Sequence, residues 1–152
     1  MVEYKIMEPT ESIEENIKIL ADLFVPIYHQ FWEKRGKIFY GLEHWNINPV
    51  PLVQLWVDRN LLLLLAFEGE KVVGFVIGGR MTPFYQIESN CYIEAYYGLT
   101  EAIEQGLLNF LRDGFKFTTE KFLLIPKYGD KSPEFSVSLT LMNERTSYVY
   151  KR

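Results

Sequence analysis

Residues 61 to 79, LLLLLAFEGEKVVGFVIGG, constrain the fold more than any other stretch of the chain. Leu61 to Phe67 is an unbroken apolar run of strand length, and Lys71 to Gly79 returns as a second strand rich in valine and isoleucine. Glu68-Gly69-Glu70 between them predicts a tight hairpin turn, with the glycine supplying the positive φ that the turn needs. A strand that is apolar at every position, rather than at alternate ones, is expected to be covered on both faces. The hairpin therefore belongs inside a sheet.

The remaining elements follow from local signals. Val2, Tyr4 and Ile6 alternate with polar neighbours and predict a first strand ending at Pro9. Ser12 and Glu15 form a capping-box signature ahead of Ile13, Ile17, Leu20 and Phe24, which recur at helical spacing to about Val25. Pro26 is expected to kink or end that helix, since it lacks an amide proton and crowds the preceding turn. A second short helix through Tyr28, Phe31 and Trp32 follows, and then an aromatic loop from Gly36 to Asn48. Asn48 is placed to cap another helix with Pro49 in its first turn and Val53, Trp56 and Val57 on its buried face.

Cys91 to Tyr97 predicts a strand with Cys91, Ile93, Ala95 and Tyr97 on one face and Tyr92, Glu94 and Tyr96 on the other. Thr100 is the expected N-cap of a helix with Ile103, Leu107, Phe110 and Leu111 as its apolar stripe. Ala102 and Gly106 are its close-packing positions, and Gly114 its stop. Phe117 to Ile125 predicts a strand, Lys127 to Pro133 a loop, Phe135 to Leu141 a half-exposed strand, and Ser147 to Lys151 the end of a closing hairpin. A helix between two strands calls for a parallel crossover in an otherwise antiparallel sheet. The expected fold is one α/β (α+β) domain over residues 1–152, with a mixed, mostly antiparallel sheet and helices on both faces.

Composition narrows the function classes. With 48% apolar residues and a net charge of −4, the chain is expected to pack a core and to lack the basic footprint of a nucleic-acid binder. The one basic cluster with aromatic neighbours, Lys34, Arg35 and Lys37, reads as a solvated loop. No apolar run is long enough for a transmembrane helix and the first residues do not resemble a signal peptide, so no membrane partner and a cytoplasmic location are expected. Cys91 is the only cysteine, which excludes an intrachain disulfide and a Cys-based metal site. His29 and His44 show no metal-binding spacing, so no metal is expected. Neither a Gly-x-Ser-x-Gly elbow nor a GxxxxGK[ST] phosphate loop is present.

The order of elements, and the hairpin at 61–79 in particular, resembles the GNAT (N-acetyltransferase) superfamily over most of the chain. In that family the turn after the fourth strand carries an Arg/Gln-x-x-Gly-x-Gly/Ala motif whose amides cradle the pyrophosphate of acyl-CoA at a helix N-terminus. The matching residues here are Tyr96-Tyr97-Gly98-Leu99-Thr100-Glu101-Ala102, with a single glycine, no leading basic residue and Glu101 in the first helical turn. The resemblance thus implies Tyr97, Gly98, Leu99 and Thr100 as the cofactor contacts if acyl-CoA binds. The departures imply an eroded site with no cofactor, acetyl-CoA being the cofactor of the alternative, an active enzyme.

Glu94 is the best candidate general base, a carboxylate between two tyrosines near the expected cleft. Glu88 is a weaker one. The family's thiolate-protonating tyrosine would correspond to Tyr128, in the proline-rich stretch PKYGDKSPE, or to Tyr148. That stretch reads as an exposed loop in place of the family's usual helix. Two aromatic groups, Phe31, Trp32, Phe39, Tyr40 and Trp45, and Phe84, Tyr85, Tyr92, Tyr96 and Tyr97, either complete the core or form a surface for a protein partner or self-association. Small eroded GNAT-like chains of phages are the resemblance for such a role, in a host cytoplasm or virion.

Overall fold

The computed structural model describes residues 1–42, 48–81, 90–115, 122–126, 128, 138–142 and 145–151. Seven strands, β1 (Val2–Ile6), β2 (Leu61–Glu68), β3 (Lys71–Met81), β4 (Asn90–Gly98), β5 (Phe122–Pro126), β6 (Ser138–Met142) and β7 (Arg145–Lys151), form one sheet in the order β1-β2-β3-β4-β5-β7-β6. Neighbours pair antiparallel except β4 and β5, which are parallel and joined through helix α5 (Glu101–Phe115). The predicted hairpin is β2–β3, with Gly69 at φ 64° in its turn.

Helices cover both faces, as adjacent residues of β3 show. Phe75 packs its ring against Phe24, Tyr28 and Phe31 of the N-terminal helical layer, at 5.2, 5.7 and 5.6 Å between centroids. Gly74 turns to α5, where a Cβ would lie 2.9 Å from Leu107 Cδ1 and 3.0 Å from Ile103 Cγ2. Burial on two faces accounts for the absence of polar alternation in β2, whose Leu63, Leu64, Leu65 and Ala66 are all buried.

The N-terminal layer departs from expectation. Helices α1 (Ile13–Ile19), α2 (Val25–Phe31) and α3 (Lys37–Tyr40) run on through two π-helical turns, Leu20–Phe24 and Trp32–Gly36, without a break. Pro26 does not end the helix because the widened turn before it has already shifted the hydrogen-bond ladder, Val25 N–H donating to Leu20 O, and Pro26 falls in the first turn of α2. Gly36 continues the helix rather than opening a loop, packed so closely that a Cβ there would meet the Trp32 and Phe31 rings at 2.9 and 3.0 Å. The segment stops at Gly41, φ 68°. Helix α4 (Pro49–Val57) starts as predicted, with the Asn48 side chain accepting from Val50 N–H, but Val57 is exposed and Val53 and Trp56 carry the contact.

Strand β4 carries a β-bulge. Ile77 pairs with Ala95 and Gly78 with Ile93, so Glu94 has no residue opposite on β3. The expected two-face alternation is broken there, and Ala95, Tyr96 and Tyr97 are all buried in succession. Gly78 makes room for the bulge: a Cβ would fall 2.1 Å from Tyr92 O. Gly78→Ala is expected to destabilise the domain by about 2–3 kcal/mol through this clash with backbone. Gly114→Ala, with open space around its Cβ inside α5, should leave stability unchanged or raise it by up to ~1 kcal/mol. Urea unfolding of the two variants checks the contrast.

Candidate functional site

The β4–α5 turn is built as the sequence indicated. Thr100 caps α5, its Oγ1 accepting from Ile103 N–H at 3.2 Å, and Gly98 lets the helix start pack on the strand, a Cβ there lying 2.8 Å from Glu104 N. Leu99 N–H, one of the amides that an anion would need, donates to Val73 O at 3.0 Å. Leu99 and Thr100 are exposed, whereas Tyr97 and Gly98 are buried.

Beside this turn lies an ion pair that the sequence reading did not foresee. Arg35 Nη1 sits 2.5 Å from Glu104 Oε1, with side-chain exposures of 23% and 11%. The pair sets a carboxylate that is largely withdrawn from water against a partly buried guanidinium. The guanidinium lies over the rings of Tyr128, Tyr97 and Tyr96, at 4.8, 5.4 and 5.9 Å from their centroids. Its Nη1 also donates to Tyr96 O at 3.4 Å.

The neighbouring strands explain why Tyr96 offers its backbone to side chains. Parallel pairing of β4 with β5 is confined to Cys91–Leu123 and Tyr92–Leu124 among the described residues, and β4 continues to Gly98. In the gap, Tyr96 N–H donates to the Tyr128 hydroxyl at 3.4 Å, as its carbonyl accepts from Arg35. Tyr128 is not the exposed loop residue that its context predicts. It is 9% exposed, with its ring against Tyr96, Phe39 and Phe31 at 4.9, 4.9 and 5.8 Å. Burial pushes its phenol well above the usual tyrosine range, with Tyr40 and Tyr96 adding to the rise and Arg35 opposing it.

Glu94 stands apart from that cluster on the bulge. It is exposed, and Tyr40 Oη donates to its Oε1 at 2.8 Å and lies 3.0 Å from its carbonyl oxygen. Tyr28 is pushed up to about 12, first by burial and then by the Glu94 charge. The structure thus joins Tyr128, Tyr97 and the Gly98 turn through Arg35, and places Glu94 with Tyr40. Tyr148 lies in β7, in register with Ile125 on one side and Leu139 on the other, and its side chain is outside the described residues. Glu88, His44, Trp45, Phe84 and Tyr85 are outside them too; His29 is exposed. Of the aromatics, Phe31, Trp32, Tyr96 and Tyr97 are buried in the core, while Phe39, Tyr40 and Tyr92 are half-buried. Among the described residues no group of three His, Cys, Asp or Glu side chains is placed to hold a metal ion, and no helix is long and apolar enough to cross a membrane.

No protein-family model matches the chain, and no curated protein matches it in sequence. Solved structures do match. A probable acetyltransferase from Staphylococcus epidermidis ATCC 12228 superposes with a TM-score of 0.61 at 11% identity, over 99% of each chain. The ribosomal-protein-alanine N-acetyltransferase of Brucella melitensis biovar Abortus 2308 gives 0.56 at 15% identity, over 82% of this chain and 78% of that one. An aminoglycoside acetyltransferase from an uncultured soil metagenomic sample, in complex with sisomicin, gives 0.55 at 13%, over 82% and 76%. The chain has a divergent GNAT-like fold.

Within that GNAT-like fold, the first turn of α5 carries two carboxylates, the exposed Glu101 that the sequence points to and the buried Glu104. A signal for it was present: Glu104 lies four residues before buried Leu108, on the apolar side of α5, where a charge needs a partner. Arg35 likewise follows buried Phe31 by four residues.

Tyr128→Phe removes the acceptor of a buried amide and is expected to cost about 1–3 kcal/mol in urea unfolding. The pH profile carries a sign. Tyr28, Tyr96 and Tyr128 hold their protons more tightly folded than unfolded, so their contribution is complete below the unfolded value of about 10 and is lost as pH rises through the folded one. For Tyr28 that window runs from 10.0 to about 12. Stability should fall above about pH 10, and less steeply in Tyr128→Phe, as unfolding titrations at stepped pH would register.

Proposed function

We propose that this GNAT-fold domain has an eroded acyl-CoA site and works through protein contacts rather than catalysis, as a phage-type structural or accessory protein of a host cytoplasm or virion. One observation supports the reading: the turn where acyl-CoA would seat its pyrophosphate has an ion-paired carboxylate beside it and an amide already committed. The Glu104 carboxylate lies beside it against Arg35, and Leu99 N–H is committed to Val73. A diphosphate entering there would find the neighbouring cation, Arg35, already paired with Glu104 and the Leu99 amide already taken. The gap between β4 and β5 is likewise occupied, Tyr128 and Arg35 satisfying both backbone groups of Tyr96.

Apolar side chains for a partner are available on the helical layer. Ile38 is 80% exposed, Leu42 56% and Val50 64%. The half-buried Phe39, Tyr40 and Tyr92 offer aromatic surface, although most of the aromatics go to the core.

A second reading draws on Glu94. An exposed carboxylate on a bulged strand, with a tyrosine hydroxyl at 2.8 Å, suits deprotonation of an amine. In this reading the domain is an acetyl-CoA-dependent N-acetyltransferase acting on a small molecule or protein. Thermal unfolding with acetyl-CoA and CoA separates the two. Millimolar ligand is expected to leave the melting temperature unchanged. A saturable rise, about 2.7 kcal/mol of stabilisation at a hundredfold over Kd, would instead establish cofactor binding and remove the first reading.

A further inference from the structure

Strand β1 is an edge of the sheet: it pairs with β2 on one side, and among the described residues no strand pairs with its other side. Met7 N–H donates to Leu63 O at 2.8 Å, which sets the phase of the ladder. Counting back in steps of two, Lys5 and Glu3 also turn their backbone groups to β2, opposite Leu65 and Phe67. Val2, Tyr4 and Ile6 therefore present their N–H and C=O groups outward, a template for a further strand. Their side chains share the α5 face, where Tyr4 packs on Gly106 and its ring lies 6.1 Å from that of Phe110. Ile6 and Phe110 are 42% and 38% exposed. Glu3 and Lys5 are exposed on the opposite face.

Those two charges decide which strand fits the edge. A second β1 laid antiparallel must match outward residues with outward residues. Centred on Glu3, the pairing sets Glu3 against Glu3 of the second copy, and centred on Lys5 it sets Lys5 against Lys5; both repel. Centred on Tyr4, it sets Glu3 against Lys5 of the second copy and Lys5 against Glu3. Both fall at non-hydrogen-bonded positions, where opposed side chains are closest. Val2 then meets Ile6 on the α5 face. The charges that guard the edge against other pairings are thus self-complementary about one two-fold axis.

We propose that the chain forms a two-fold homodimer through β1, two copies joined antiparallel about Tyr4 into one continuous sheet. The inference rests on the reading that the domain works through protein contacts, and it names the surface and the partner. A five-residue strand with the adjoining margin at Phe110 makes a small interface. The dimer is therefore reversible, with a Kd on the order of tens of micromolar.

Sedimentation equilibrium of the full chain from about 1 to about 500 µM tests the proposal, and the native chain is expected to pass from monomer to dimer across that range. Glu3→Lys and Lys5→Glu each set like charges opposite one another and should weaken dimerisation roughly tenfold or more. Both positions are exposed, so the melting temperature of the dilute protein should not change. Mixed in equal amounts, the two single variants should dimerise with each other, and Glu3→Lys/Lys5→Glu should dimerise on its own. If one single variant fails to fold, the other, weakened, and the double exchange, restored, decide together. A native chain that is monomeric at the highest concentration would overturn the proposal. So would a dimer that neither reversal weakens, which places the contact on another face, or weakened single variants that neither mixing nor the double exchange restores. Acetyl-CoA binding by the native chain would remove the function reading and leave this equilibrium measurable, so the two failures are distinct.

Discussion

The guanidinium of Arg35 is the point at which the helical layer, the fourth strand and α5 meet. A cation at 23% exposure cannot rely on water alone, so its surroundings must compensate it. Three elements do so: Glu104 from α5, the Tyr96 carbonyl from β4, and the faces of Tyr96, Tyr97 and Tyr128. Each is held by packing of its own. Phe31, one helical turn before Arg35, touches Phe75, Tyr97 and Tyr128, and Gly98 lets α5 approach closely enough for Glu104 to reach. The electrostatics and the aromatic core are thus one arrangement, and neither layer can shift without the other.

The parting of β4 from β5 sets the second constraint. A parallel strand that loses its neighbour part-way leaves amides and carbonyls facing an apolar gap. Here Tyr128 and Arg35 close that gap with a hydroxyl and a guanidinium, and aromatic rings exclude water around them. The bulge at Glu94 lies just before the gap and is accommodated by Gly78, which accounts for the glycine that follows Phe75, Val76 and Ile77 in β3.

How much of this was legible follows the range of each interaction. The β2–β3 hairpin, the Ser12 and Thr100 caps and the Asn48–Pro49 start of α4 were all readable, because each is decided within a few residues. The parallel crossover followed from the helix between β4 and β5, and the GNAT-like fold from the order of elements and the likeness of the hairpin. By contrast, Arg35 and Glu104 are far apart in sequence, so nothing local to Arg35 distinguishes it from a solvated charge. Tyr128 read as exposed because proline and glycine surround it, while its burial depends on a gap that only the tertiary structure creates. The same holds for Asn16, fully buried in an exposed-looking helix start: its side chain ties down Thr10 through N–H, Oγ1 and carbonyl contacts.

The two widened turns of the helical layer have a geometric consequence. Its buried positions, Asn16, Leu20, Phe24, Ile27, Phe31, Trp32 and Gly36, recur mostly at steps of four, and an α-helix turns through about 100° per residue. Four-residue steps would walk such a stripe around the helix by roughly 40° each. The π-helical turns take up that excess and keep the stripe on the sheet. They act as phase corrections written into chain length rather than into residue type. A layer built in this way aims Arg35 through residue spacing: the angle at which its side chain leaves the helix depends on the extra residues that the widened turns take in.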